Sequence, residues 1–297
     1  MSGANVPSVS VLLPVFNAGR YLRPAVQSIL DQRFRDFELI VIDDGSTDES
    51  LAELQRFAAA DDRIRLRSRE NLGLVATLNE LLALARGELI ARMDADDIAL
   101  PHRFDLQVDY LLGHPDVVCL GGGIELMDEA DRRLHRPPPV RGDDAVQREA
   151  LQGRIPICHP SAMYRTEAAR RVGGYRAETY PAEDLDLWLR LGEVGRLDNL
   201  GACVLRYRIH PDSISVQQSR HQMRKMRTVC EDAWKRRNIT GEFHGSPALA
   251  IAPDSLYCKY TVDGLRRHPT ARAIVLGSQS NDDPDLAPPV RDAVREL

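Results

Sequence analysis

Three carboxylates stand within four residues at Asp94-Ala95-Asp96-Asp97, directly after the apolar run Glu88 to Met93. Carboxylates this close repel one another unless a cation sits among them. Mg2+ or Mn2+ suits the pattern, because such ions take one or two protein carboxylates and fill their other positions with phosphate oxygens and water. An isolated D-x-D reads first as an acidic turn or helix cap; its place at the end of a strand is what reverses the reading toward a metal that bridges the protein to a diphosphate. A second cluster, Asp43-Asp44-Gly45-Ser46-Thr47-Asp48, closes the run Glu38 to Ile42. There a carboxylate can accept hydrogen bonds from a base or a ribose, while glycine lets the backbone approach closely. Ser46 or Thr47 also reads as a helix cap, and both uses can hold together.

Glu183-Asp184 precedes the apolar spacing Leu185, Trp188, Leu189, so it falls at a helix start, where free N–H groups and the helix dipole favour an ionised carboxylate. Simple charge placement at a helix N-terminus gives the same pattern. Tyr207-Arg208-Ile209-His210 ends another apolar run and offers either a neutral imidazole as a further metal ligand or a cation for phosphate. A lone histidine is more often structural or merely on the surface.

These groups need elements that bring them together. Ser8 to Leu13 is a β-rich run ending at Pro14, and Leu22, Val26, Ile29 and Leu30 then recur at helical spacing. The cycle repeats: strand at Glu38 to Ile42, helix on Leu51, Leu54 and Phe57, short strand at Ile64 and Leu66, helix on Leu74, Leu78, Leu81, Leu82 and Ala85 stopped by Gly87, strand to Met93. Pro101 opens a further helix through Phe104, Val108, Leu111 and Leu112, followed by a strand at Val117 to Leu120. Such alternation predicts an α/β, three-layer, Rossmann-like fold with a mainly parallel sheet covered on both faces. In open sheets of this kind ligands bind beyond the carboxyl ends of the strands. Pro14 to Asn17, Asp43 to Asp48 and Asp94 to Asp97 are therefore expected on one rim. His135 to Arg141, with three consecutive prolines, reads as an extended surface loop.

Composition narrows the class. At 43% hydrophobic and 28% charged residues the chain is ordinary globular protein, and a net charge of -5 gives no electrostatic case for nucleic acid. The five cysteines (Cys119, Cys158, Cys203, Cys230, Cys258) are odd in number and contain no C-x-x-C pair, which fits reduced thiols in a cytoplasm. The sequence begins MSGANVPSVSVLLPVF, without the basic and then long apolar regions of a signal peptide, and no stretch reaches the roughly 18 apolar residues of a membrane span. A cytoplasmic protein, soluble or peripheral to the inner face of a membrane, is expected.

After about Ser215 the texture changes: Arg220, Arg224, Lys225, Arg227, Lys235, Arg236 and Arg237 crowd a helix and the tail is rich in Asp and Pro. A soft boundary there divides residues 1–215 from an extension, 216–297, expected to be helical and then poorly ordered. The basic helix reads as a solvated face, with contact to an anionic membrane surface or self-association as alternatives.

Together the segments resemble the family 2 glycosyltransferases with the GT-A fold, over roughly residues 8 to 215. The resemblance rests on eight pieces in order: Pro14-Val15-Phe16-Asn17, Asp43 to Asp48, Asn71-Leu72-Gly73, Arg92-Met93-Asp94-Ala95-Asp96-Asp97, His159-Pro160-Ser161, Gly173-Gly174-Tyr175, Glu183-Asp184 and Tyr207 to His210. It implies transfer of one sugar from a nucleotide-sugar, UDP being the family's commonest carrier, to the hydroxyl of a sugar or lipid-linked glycan, with inversion and with Mn2+ or Mg2+ as cofactor. By resemblance Pro14, Val15, Asn17, Asp43, Asp44, Asn71, Arg92, Asp94 and Ala95 bind the nucleotide-sugar, with Val15 and Asp44 against the base and Asp94 near the ribose. Asp96 and His210 hold the metal, Asp184 is the catalytic base, and Glu183 and His159 lie on the acceptor side. No membrane helix follows the catalytic region, which favours single transfer over processive synthesis. The setting would be cell-surface polysaccharide or glycoconjugate biosynthesis. Two rivals stand beside this reading. A nucleotidyltransferase would place a glycine-rich basic loop after the first strand, where Pro14 to Gly19 offers none, and a catalytically inactive sugar-binding module would not need Asp96 and Asp184.

Overall fold

In the computed structural model, residues 6–210, 212–241 and 243 are described. Strands β1 (Val9–Val15), β2 (Phe37–Asp43), β3 (Ile64–Ser68) and β4 (Leu89–Arg92) alternate with helices α1 (Leu22–Leu30), α2 (Ser50–Ala60) and α3 (Leu74–Leu84). There follow β5 (Ile98–Ala99), α4 (Arg103–Gly113), β6 (Val117–Met127), β7 (Arg133–His135), α5 (Asp143–Leu151), β8 (Met163–Arg165), α6 (Thr166–Arg171), α7 (Glu183–Leu191), β9 (Arg196–Arg208), α8 (Ile214–Gln217) and α9 (Ser219–Arg236).

The strands form one sheet in the order β3-β2-β1-β4-β8-β6-β9-β5, with β7 added to β6. Each residue of β1 and β2 is buried, which is why these strands read as continuous apolar runs rather than alternating ones. Side-chain parity then assigns two cores. Val11, Leu13, Leu39 and Val41 pack against α1, α2 and α4 through Val26, Ile29, Leu54, Phe57, Phe104 and Leu111. Leu12, Ile40, Ile42 and Ile90 face the other way, onto Leu78, Leu81, Ala169, Leu187 and Trp188 of α3, α6 and α7. The expected three layers are present.

The sheet is mixed rather than mainly parallel. The run β3-β2-β1-β4 is parallel throughout, and β6 runs parallel to β9, but β8 is antiparallel to both β4 and β6, β5 is antiparallel to β9, and β7 to β6. β5, β7 and β8 have two or three residues each, too few to show a period in the sequence. For the same reason His135, read as the start of a loop, closes β7, and only the residues after it lack regular structure.

Helix α9 lies along α7 and α5. Met226, Val229, Cys230 and Ala233 form an apolar cluster with Ala150, Ala182, Leu185 and Leu189. Four of the basic side chains on α9 and just after it find partners within the fold: Arg227 with Glu231 at 2.8 Å, Lys235 with Asp232 at 3.5 Å, Arg236 with Glu193 at 2.9 Å, and Arg237 on the Leu189 carbonyl at 2.6 Å. The Asp- and Pro-rich tail from residue 244 onward, Cys258 and the Arg220 side chain lie outside the described residues. No helix among the described residues is long and apolar enough to cross a membrane.

Candidate active site

The carboxyl ends of β2 and β4 flank that of β1, one strand spacing to each side, so the two acidic clusters stand on one rim on the order of 10 Å apart. The β2 side is a clasp of three loops. Asn17 adopts φ +49°, its backbone N–H donates to Ser46 Oγ at 2.9 Å, and its Oδ1 accepts from the Thr47 N–H at 2.8 Å. Pro14 and Val15 are the buried end of β1, and the Val15 carbonyl accepts from the Asp44 N–H at 2.8 Å. Gly45 has φ +79°, and a Cβ there would stand 2.8 Å from the Asn71 nitrogen, so only glycine lets the 69–73 loop close over this turn.

Asp44 is the knot of that loop. It is buried, pairs with Arg69, and accepts the N–H groups of Leu72 at 3.0 Å and Gly73 at 2.9 Å. Asp43 accepts from Ser68 Oγ at 2.9 Å, and its buried Oδ1 has no partner in the fold. Asn71 is exposed at the mouth, beside Leu72, while Phe16 is exposed on the facing loop. Arg69 is a site residue that sequence reasoning missed. Its partner is 25 positions away, and no local pattern signals the pair.

On the β4 side, Asp94, Asp96 and Asp97 present oxygens all within 4.8 Å of one another. His210 Nε2 lies 2.9 Å from Asp96 Oδ2, so the two residues assigned to a metal are in contact across 114 positions. Asp97, absent from the sequence-derived ligand set, is fully buried. Its Oδ1 accepts the Arg208 N–H at 2.7 Å and its Oδ2 has no partner. Burial and the neighbouring Asp96 and Asp94 carboxylates hold its pKa well above the usual range. Its place in the motif was legible; its burial was not. Arg208 also donates to the Asp96 carbonyl at 2.7 Å and lies 4.5 Å over the Tyr21 ring, which stands 5.1 Å from that of His210. These contacts fix the chain on which His210 rides. Oxygen donors plus one imidazole, with an orphaned buried carboxylate oxygen among them, fit a hard divalent cation.

Arg92 is the cation at the centre. It is 1% exposed, pairs with Asp94, and its Nε is buried without a hydrogen-bond partner. Its charge reaches Glu183 and Asp184 at the start of α7 and lowers both carboxyl pKa values. Burial works the other way and dominates. Glu183, whose Oε2 is buried and unpartnered, is pushed up to about 8, with the Asp184 charge contributing. Asp184 accepts the Leu185 N–H at 2.7 Å and is raised only to about 6. The third acid of the helix, Asp186, is tied to Arg190. Ala95, half-buried, packs on the first core, bridging Asp94 and Asp96. His159 is 8% exposed, its Nε2 meets the Tyr175 hydroxyl at 2.9 Å, and its ring is 5.7 Å from Trp188. Burial and nearby Arg92 hold that imidazole neutral, with its pKa well below the ordinary value. The structure thus gathers Arg92, Asp94, Asp96, Asp97, Glu183, Asp184 and His210 into one acidic group and sets His159 in the aromatic layer against α7.

Residues 10–173 match the family model of Glycosyl transferase family 2. The chain is 36% identical over 239 residues to EpsE of Bacillus subtilis (strain 168), spanning 79% of this chain and 77% of the relative. It is 32% identical over 209 residues to the O-antigen biosynthesis glycosyltransferase WbnJ of Escherichia coli, spanning 69% and 81%. Among solved structures, residues 1–349 of TarS from S. aureus in complex with UDP-GlcNAc superimpose with a TM-score of 0.64 at 17% identity, covering 96% of this chain and 83% of that one, a likeness of fold. With the family match over more than half the chain, and a relative 36% identical over 79% of it, the chain belongs to the family 2 glycosyltransferases.

Proposed function

We propose that this glycosyltransferase transfers one sugar from a UDP-sugar to an acceptor hydroxyl with inversion, in the building of a cell-surface polysaccharide or glycoconjugate. The observation that carries the reading is the meeting of an acidic cluster at the end of β4 with a buried carboxyl pair at the start of α7, across the buried cation Arg92. The relatives' names and the UDP-GlcNAc complex of TarS support the donor class and the setting.

The β1, β2 and 69–73 loops bind the nucleotide, with the exposed Phe16 and Leu72 at its mouth and the orphaned Asp43 oxygen as acceptor. Asp96, His210 and the Asp94 and Asp97 carboxylates would hold Mn2+ or Mg2+, which supplies positive charge against the diphosphate as it leaves. Burial and the Asp96 charge raise the Asp94 pKa, and the paired Arg92 opposes that rise. Asp184 takes the acceptor's proton as that oxygen attacks the anomeric carbon on the face opposite the diphosphate. The new glycosidic bond forms as the bond to the diphosphate breaks, so one displacement inverts the centre. Glu183, protonated beside it, donates to the acceptor instead of competing for the proton.

The test is a thermal-shift screen of nucleotide-sugars with and without Mn2+, followed by nucleotide release on the donor that binds. A ligand of the native state raises apparent stability by mass action. A UDP-sugar that stabilises the protein only with metal, and releases UDP with acceptor, is the expected result. Stabilisation by nucleoside triphosphates with pyrophosphate release would make the enzyme a nucleotidyltransferase and overturn the reading.

A further inference from the structure

Among the described residues, the extension after Ser215 makes no hydrogen bond or ion pair to the acidic groups just described, yet α9 grips the segment that delivers two of them. Glu183 and Asp184 occupy the first turn of α7, whose N-cap residue, Ala182, has no side-chain capping bond. Where that turn begins is therefore set by the chain entering it, residues 178–182. Three side chains of one stripe of the extension, at i, i+4 and i+7, hold this entry from outside. Gln218 Nε2 donates to the Tyr180 hydroxyl at 3.0 Å, Gln222 Nε2 to the Pro181 carbonyl at 2.9 Å, and Lys225 Nζ to the Glu178 carbonyl at 2.7 Å. The apolar side of α9 packs on Ala182, Leu185 and Leu189, and Arg237 bonds the Leu189 carbonyl at the far end of α7.

We propose that Gln222, supported by Gln218 and Lys225, is a positioning residue that fixes the start of α7 and with it the placement of Asp184 and Glu183 against the acceptor. The proposal rests on the reading of Asp184 as the base. Displacement of a reacting group by about 1 Å costs on the order of 10²-fold in rate, so a support two residues from the pair is felt in turnover even though it meets no substrate.

The test is Gln222→Met, which removes the donor and keeps the length of the side chain, in the full chain. Two readouts separate positioning from plain stability. The first is kcat with the donor selected by the screen, alongside the affinity for UDP measured by calorimetry. The second, which needs no substrate, is the titration of the Asp184 carboxyl followed by carbon-13 NMR. Burial and the Leu185 N–H set this titration first, then the charges of Arg92 and Asp94; Glu183 on the same helix and the Cys158 thiol also face the group. Expected are a fall in kcat of about tenfold, UDP affinity unchanged within about twofold, and a displaced Asp184 titration. Wild-type kcat and an unmoved titration in the folded variant would overturn the proposal. Should Gln222→Met fail to fold, Lys225→Met, at the exposed end of the stripe, is read the same way. Asp184→Asn is run in parallel: if it kills turnover while both α9 variants behave as wild type, only the positioning role falls, and if it turns over normally, the base assignment falls first.

Discussion

Adjacent carboxyls of nearly equal chemistry are separated by their surroundings, and this gives a quantitative test of which one is the base. Asp184 is raised to about 6 and Glu183 to about 8. One unit from its pKa a carboxyl is about ten parts one form to one of the other, so at pH 7 Asp184 is mostly carboxylate and Glu183 mostly acid. Only the former can accept a proton from the acceptor at neutral pH. The free enzyme's profile of kcat/KM against pH should then rise with unit slope up to about 6 and level off, standing at about a tenth of its plateau at pH 5. Asp184→Asn keeps the shape and loses the proton acceptor. General-base removal costs roughly 10²- to 10⁴-fold, or about 2.7 to 5.5 kcal/mol of transition-state stabilisation, and the ascending limb should vanish with it. UDP affinity should barely change, because the proposed nucleotide contacts lie on the β1 and β2 loops. Glu183→Gln mimics the protonated form and should keep the limb near 6 with turnover within a few-fold. A limb near 8 that disappears in Glu183→Gln would make Glu183 the base, and full activity in both variants would refute general-base catalysis by this pair.

Chelation should abolish donor turnover and Mn2+ or Mg2+ should restore it, with Asp96→Ala reduced by at least 10²-fold; full turnover in excess chelator would remove the metal from the mechanism. Glu183 predicts a stability trend of definite sign. Its folded pKa lies above the ordinary 4.5, so the stabilisation from its bound proton is complete below pH 4.5 and is lost as pH rises toward about 8. In the metal-free protein Glu183→Gln should therefore gain on the wild type by about 1 to 4 kcal/mol between pH 5 and pH 8 in urea melts, and an equal pH dependence of the two would refute the burial argument. Gly45→Ala should cost roughly 1 to 3 kcal/mol, since it strains φ +79° and drives a Cβ to 2.8 Å from the Asn71 nitrogen, and should weaken UDP binding as the loop lifts; unchanged UDP affinity would detach that loop from the nucleotide site.

The sequence by itself determined the parts that depend on near neighbours. Buried strands of seven residues, the helices between them and the turns at Gly45 and Gly87 follow from runs, helical spacing and backbone freedom over a few positions. The carboxyl-end rule then placed Asp43, Asp44, Asp94 and Asp96 on one rim before any coordinates. Only tertiary structure decided the rest. Strands of two or three residues such as β5 and β8 have no period of their own and exist because β9 and β4 offer ladders to them, which is why the sheet is mixed. Arg69 on Asp44 and His210 on Asp96 join positions 25 and 114 apart, and the grip of α9 on residues 178–182 joins two stretches that carry no mutual signal. Glu183 and Asp184 show the limit most sharply. Side by side and chemically alike in the sequence, they part by about two pKa units because one oxygen is buried without a partner while the other carboxylate accepts the Leu185 N–H, and desolvation of that kind is created only by packing.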